Sequence, residues 1–233
     1  MARLTEKHIQ KKAIQFLERH YQEKFEPSTI YSQQEVRTVE KFKKKRADGL
    51  LCFESQLHKE HTVSLEAKSH KTLGALLPVW NDKDLILSAV VGIILALIST
   101  YFLGYLEWYW ITLSALSIFI GSFFLSVLLL VLVEPDYFKS MAVMDQVHQY
   151  PANEKWIAIS KDSLNLASKK SSEFNRRSNP ENFIQIARKK GVGILVISRW
   201  KEEVLLEPQF IQGEYLNCYC QAEKARQVVH TLS

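Results

Sequence analysis

Cysteine is scarce in this chain, with three (Cys52, Cys218 and Cys220) in 233 residues. That is too few for a disulfide scaffold, and an odd number fits a reducing compartment. Glycine (8) and proline (6) are also sparse, which excludes a collagenous chain. No internal repeat or low-complexity tract interrupts the sequence. Hydrophobic residues at 47% and charged residues at 24% are ordinary globular values, so a disordered chain is excluded as well. The Cys218/Cys220 pair lacks a second pair and a nearby histidine cluster, and reads as strand residues rather than zinc ligands.

The most informative absence is local. Leu85 to Val133 carries a single ionisable residue, Glu107, in a chain with 30 Lys and Arg and 25 Asp and Glu. The block breaks around Gly104 and Glu107 into 85–106 and 108–133. Each half has the roughly 20 apolar residues that a helix needs to cross a bilayer core. Neither half shows the polar stripe of a surface helix. Tyr105, Trp108, Tyr109 and Trp110 suit the headgroup level. Residues 84–134 therefore read as a transmembrane helical hairpin, with Gly92 and Gly121 allowing close helix packing. More than eighty polar residues precede the block, so neither a signal peptide nor an N-terminal anchor is expected. Two crossings return the chain to its starting side. Lys68, Lys71, Lys83 and Lys139 flank the hairpin while its tip holds only Glu107. The positive-inside rule then places both polar parts and both termini in the cytoplasm, at the cell (inner) membrane.

Without the hairpin, the polar parts 1–83 and 135–233 read as one α/β domain in two pieces. Thr5 caps a helix to about Tyr21, with Ile9, Ala13, Ile14, Phe16 and Leu17 at helical spacing. Residues 28–46 lean towards strand and end in the basic run KFKKKR. Gly49 to Phe53 reads as a strand, SQLHKEH as a hairpin turn, and Thr62 to Lys68 as a strand. In the latter, Val63, Leu65 and Ala67 alternate with Ser64, Glu66 and Lys68. Beyond the hairpin, helices are expected over 137–150, 182–190 and from Gln221, with strands over 156–160 and 193–198 and a β-like segment after them. Helices interleaved with short apolar strands imply a mixed sheet covered on both faces.

Chemistry concentrates in Asp48 and Glu66-Ala67-Lys68. Period-two geometry puts Glu66 and Lys68 side by side, and the hairpin turn can bring Asp48 opposite Glu66. Two carboxylates meeting at a strand edge repel unless a cation joins them. Oxygen ligands from one or two carboxylates, completed by water, suit Mg²⁺. An ammonium beside such a metal can orient water and stabilise charge on a phosphate.

These residues carry a resemblance. Asp48 in RADGLL and Glu66-Ala67-Lys68 in VSLEAKS resemble the motif of the PD-(D/E)xK nuclease superfamily, although Ala47 stands where the proline of its name would be. Gln146 and Tyr150 in DQVHQYP resemble the Gln-x-x-x-Tyr motif of the branch similar to RecB-type nucleases. The resemblance implies a restriction-endonuclease-like mixed sheet flanked by helices and interrupted by the transmembrane hairpin. It implies hydrolysis of phosphodiester bonds with Mg²⁺ or Mn²⁺ held by Asp48, Glu66 and the Ala67 carbonyl. Glu6 stands where an acidic residue of the first helix reaches the metal in some members. Lys68, Gln146 and Tyr150 complete the implied catalytic set.

Basic residues cluster at Lys41, Lys43, Lys44, Lys45 and Arg46, at Lys169 and Lys170, at Arg176 and Arg177, and over 188–190. Such runs neutralise nucleic-acid phosphates or sit on anionic lipid, and KFKKKR favours nucleic acid because it runs into Asp48. The segment SKKSSEFNRRSNP reads as a polar loop. No base-reading module is visible. The expected function is a membrane-anchored nuclease acting on nucleic acid, DNA before RNA. An inactive nuclease-like binding or sensor module, an oligomeric membrane effector, and a membrane or defence partner protein stay open.

Overall fold

Ile9, Ala13, Ile14, Leu17 and Tyr21 recur along one side of the first helix, and all five are buried. The computed structural model describes residues 4–42, 44–55, 59–69, 79–80, 82–102, 107–133, 139–165 and 180–230. The chain divides into two compact units, Met1–Leu77 with Met141–Ser233, and Pro78–Ser140. In chain order the elements are α1 (Glu6–Phe25), β1 (Ile30–Arg37), β2 (Arg46–Phe53), β3 (His61–Lys68) and β4 (Val79–Trp80). Then come α2 (Asp82–Phe102), α3 (Trp108–Val133), β5 (Lys139–Ser140), α4 (Ala142–His148) and β6 (Glu154–Ser160). A helical stretch α5 (161–165) precedes α6 (Pro180–Lys189), β7 (Gly193–Ile197), β8 (Glu202–Leu206) and α7 (Ala222–His230).

The first unit is built on a six-stranded mixed sheet in the order β1-β2-β3-β6-β7-β8. β1, β2 and β3 pair antiparallel, β3, β6 and β7 pair parallel, and β8 returns antiparallel. α1 covers one face, packing on Leu51, Phe53, Val63, Leu65, Trp156 and Leu195. On the other face α4 and α6 pack on Ile157, Ile159, Ile194 and Val196, and α7 packs on Tyr31 and Cys52. The α/β architecture with helices on both faces is thus the one expected from the sequence.

Several elements differ in detail. All eight residues of β3 are buried, not only the apolar half, because a central strand with helices on both sides has no solvent face. The helix expected over 137–150 is the shorter α4, preceded by β5. Cys218 ends a 3-10 turn and Tyr219 bridges to Thr38, so the Cys218/Cys220 pair lies in a turn and not in a strand. All three cysteines are free.

In the second unit α2 and α3 pack together, and Phe119 fills the space a Cβ at Gly92 would need, 3.0 Å away. Among the described residues one helix, Trp108–Leu129 of 22 residues, is long and apolar enough to cross a membrane. Two spans, 85–106 and 108–133, were the expectation. The apolar run of α2 is the shorter Ile86–Phe102, below the roughly 20 residues of a span; residues 103–106 lie outside the described residues. Leu97, Tyr101, Trp108 and Phe124 are each more than 60% exposed, an apolar surface that water disfavours.

Gly49 admits α1 against the sheet. A Cβ there would meet Ile14 at 3.0 Å and Leu65 at 3.2 Å. Gly49→Ala should therefore destabilise the fold by about 1 to 3 kcal/mol through overpacking, and Ile14→Val in the same chain should recover part of the loss. Thermal unfolding of the two variants in detergent, followed by near-ultraviolet circular dichroism, checks this.

Candidate functional site

The β2/β3 ladder places Gly49 across from Leu65 and Leu50 across from Ser64. One residue earlier on β2, a side chain replaces the ladder: Asp48 Oδ2 accepts the Ala67 N–H at 2.7 Å. The same register sets Asp48 opposite Glu66, on the face where Ser64, Glu66 and Lys68 stand together. Glu66 and Lys68 are only 2% and 6% exposed. Lys68 Nζ donates to Glu66 Oε1 at 2.5 Å, whereas Glu66 Oε2 is buried without a hydrogen-bond partner.

α4 supplies the next layer. Gln146 Nε2 donates to the Tyr150 hydroxyl at 3.2 Å, and that hydroxyl donates to the Arg46 carbonyl at 2.7 Å. Tyr150 is buried beside Glu66, and its hydroxyl, besides donating to Arg46, helps to hold the Glu66 carboxyl down. The bond to Arg46 fastens the turn after α4 to the start of β2, two residues before Asp48. Gln10 is a participant that sequence reasoning missed: buried on α1, its amide donates to the Asp48 carbonyl. The available signal was a polar residue interrupting the apolar face formed by Ile9, Ala13 and Ile14.

Burial and the neighbouring Asp48 charge push the Glu66 carboxyl up to about 7, against the pull of Lys68 and of the Tyr150 hydroxyl. Asp48 is raised too, by burial first, with Glu6 adding and the Ala67 amide and Lys68 opposing. Glu6, half-buried on the first turn of α1, thus acts on Asp48 through space. Burial and the Glu66 charge raise the Tyr150 hydroxyl.

Among the described residues no three His, Cys, Asp or Glu side chains gather as a metal cluster. Glu6 does not complete such a group with Asp48 and Glu66. A cation here would have two carboxylates and backbone oxygen, completed by water. That donor set fits hard Mg²⁺ or Mn²⁺ rather than zinc. The orphaned Oε2 and the mutual repulsion of Asp48 and Glu66 fit a cation as well, since one positive charge relieves both.

Of the basic residues, Lys44, Lys45 and Arg46 are exposed, with Lys44 paired to Glu40 and Arg46 3.7 Å from Glu35. Lys41 and Lys45 line a cleft with Phe42, His148 and Gln149. Lys43, Arg176 and Arg177 lie outside the described residues, as do Lys169 and Lys170.

A carboxyl whose pKa is raised on folding binds more protons folded than unfolded, so it costs stability as pH rises. With Glu66 moving from 4.5 to about 7, stability should fall between those pH values and level off above, by roughly 3 kcal/mol at most. Asp48 adds to the same slope. Unfolding measured from pH 4.5 to 8 should show this slope, and Glu66→Gln should flatten it. Added Mg²⁺ at pH 8 should raise the melting temperature of the unaltered chain and not of the Asp48→Asn, Glu66→Gln double variant.

Comparison with protein-family models, with curated proteins and with solved structures gives no match for the chain.

Proposed function

We propose that this chain is a membrane-anchored, metal-dependent nuclease that hydrolyses phosphodiester bonds, those of DNA foremost, at the cytoplasmic face of the membrane. The observation that carries the proposal is the buried Glu66, one oxygen on Lys68 and the other unpaired, facing Asp48 across two strands. Adjacent Asp and Glu-x-Lys strands in a mixed sheet flanked by helices support a restriction-endonuclease-like core. A divalent cation held by Asp48, Glu66 and the Ala67 carbonyl would supply Lewis acidity and an acidified water.

The chain's own residues do the rest. Glu66 holds the Lys68 ammonium by Oε1, where it orients the attacking water or the scissile phosphate and offsets charge developing on it. The Ala67 amide and Gln10 hold Asp48 by side chain and backbone. Tyr150 and Gln146 close the site from α4. Lys41 and Lys45, in the cleft beside His148, provide a positive approach for a polyanion.

Cleavage of DNA by the detergent-solubilised chain tests the assignment. Asp48→Ala, Glu66→Ala and Lys68→Ala should each lower the rate by about 100-fold or more. Lys68→Ala should leave DNA binding largely intact, because its charge acts mainly in the transition state. Gln146→Ala and Tyr150→Phe should cost about tenfold, as positioning residues. Exposed Glu214 is the control position, in preference to Glu202, which pairs with Lys12 and Arg19. Full cleavage by Glu66→Ala would sink the assignment.

We further propose that α2 and α3 both cross the bilayer, with Glu107 outside and both termini cytoplasmic. The apolar exposed surfaces of the two helices support this, as do the flanking lysines. In a chain free of other cysteines, Glu107→Cys should be labelled from outside intact cells, and Ser172→Cys only after permeabilisation. The opposite pattern would reverse the topology.

A further inference from the structure

Trp200 is 89% exposed, the most exposed aromatic side chain among the described residues of the first unit. Water penalises an indole held in the open, so an exposed tryptophan on a fixed turn is a contact surface awaiting a flat partner. The turn that carries it is fixed from several sides. Ser198 N–H donates to the Lys201 carbonyl at 2.9 Å, and the Ser198 hydroxyl donates to the same carbonyl while accepting the Lys201 N–H. From α1, Lys12 Nζ donates to the Arg199 carbonyl at 2.9 Å. The indole is thus presented by a braced loop.

Register places this loop beside the proposed site. Lys68 aligns with Ile159, and Ile159 with Val196, across three parallel strands. Lys161 and Ser198–Trp200 follow those residues directly, so they emerge from the same sheet edge as Lys68. Two strand spacings separate β3 from β7, about 10 Å, within the reach of two or three nucleotides of a single strand. Lys161, Arg199 and Trp200 line one cleft there with Leu4, which lies two residues before Glu6 of α1. Asp162 also lines it, so two cationic side chains and one acid meet there.

We infer that Trp200 is a stacking platform for an unpaired base of a single-stranded nucleic acid whose backbone runs along this edge to Asp48, Glu66 and Lys68. The inference rests on the nuclease reading of that site. Exposed indoles bind every base through its π-face, while flanking cations hold the backbone, which gives affinity without sequence preference. A duplex keeps its bases stacked on each other and offers the indole nothing equivalent. A tryptophan flanked by cations also suits a lipid headgroup region, but here one lone aromatic stands among polar turn groups and Asp162.

The test uses the full chain in nanodiscs with chelator present, so that binding is read without cleavage. The probe is a fluorescent 12-residue oligothymidylate, with a 12-base-pair duplex and an abasic strand for comparison. Trp200→Ala should weaken oligothymidylate binding about tenfold, and Trp200→Phe should recover most of it. The duplex and the abasic strand should change by less than about twofold. Unchanged oligothymidylate affinity in Trp200→Ala overturns the platform, and so does an equal loss on all three probes. If brominated lipid in the nanodisc quenches the unaltered chain more strongly than Trp200→Ala, beyond the quenching that Trp108 and Trp110 give in both, with oligothymidylate affinity unchanged, the indole seats on the membrane instead. Metal-dependent cleavage measured in parallel keeps the two ideas apart. A failed platform in a chain that still cleaves leaves the nuclease reading standing, whereas absence of both cleavage and binding removes both.

Discussion

The buried pair of Glu66 and Lys68 sets the terms for the structure around it. Each group alone would be costly in a strand with no solvent face; together they neutralise one another, though only partly, because Glu66 keeps an oxygen unpaired. Asp48 makes the balance worse rather than better by adding a second negative charge. A fold evolving for stability alone would place apolar residues here, and β6 beside it does so with Ile157 and Ile159. Burial and a like charge push the Glu66 carboxyl up to about 7, the kind of perturbation for which working sites are enriched.

The surrounding framework is correspondingly stiff. Gln10, the Ala67 amide and the Tyr150 hydroxyl each bind a different group on the stretch 46–48. On the α1 face of the sheet a second buried polar set braces the core: Trp156 donates to Tyr21, which donates to Glu154, with His61 3.6 Å from the same carboxylate. His61 stacks on Phe53 with ring centroids 4.6 Å apart. Burial alone would raise the Glu154 carboxyl, but His61 and Tyr21 outweigh it and hold it low. The two sets differ in kind, since Glu154 is satisfied and Glu66 is not.

Much of this was legible in the sequence where the pattern is local. Helical spacing marked α1, and alternation marked β3 and put Glu66 and Lys68 on one face. What was not legible depends on partners distant in the chain. The burial of Ser64, Glu66 and Lys68 requires α4, some eighty residues on, to cover them. Gln10 stands out only as a polar break in the apolar face of α1 until Asp48, 38 positions away, accepts its amide. The basic run KFKKKR announced a charged patch, yet only the fold makes Lys41 and Lys45 neighbours of His148. Trp200 carried no signal, because exposure is a property of the turn and not of the residue type.

The second unit lies between β3 and β6, two strands that pair side by side. During synthesis Asp48, Glu66 and Lys68 therefore leave the ribosome before the apolar helices, and Gln146 and Tyr150 after them. β3 cannot acquire its parallel neighbour until the whole intervening segment is made, since non-local pairings form only after the loop between them can close. The charged half of the site thus waits, without its cover, for the apolar segment between β3 and α4 to be made. Assembly of the one is made conditional on synthesis of the other, an ordering in time written into the connectivity of a single sheet.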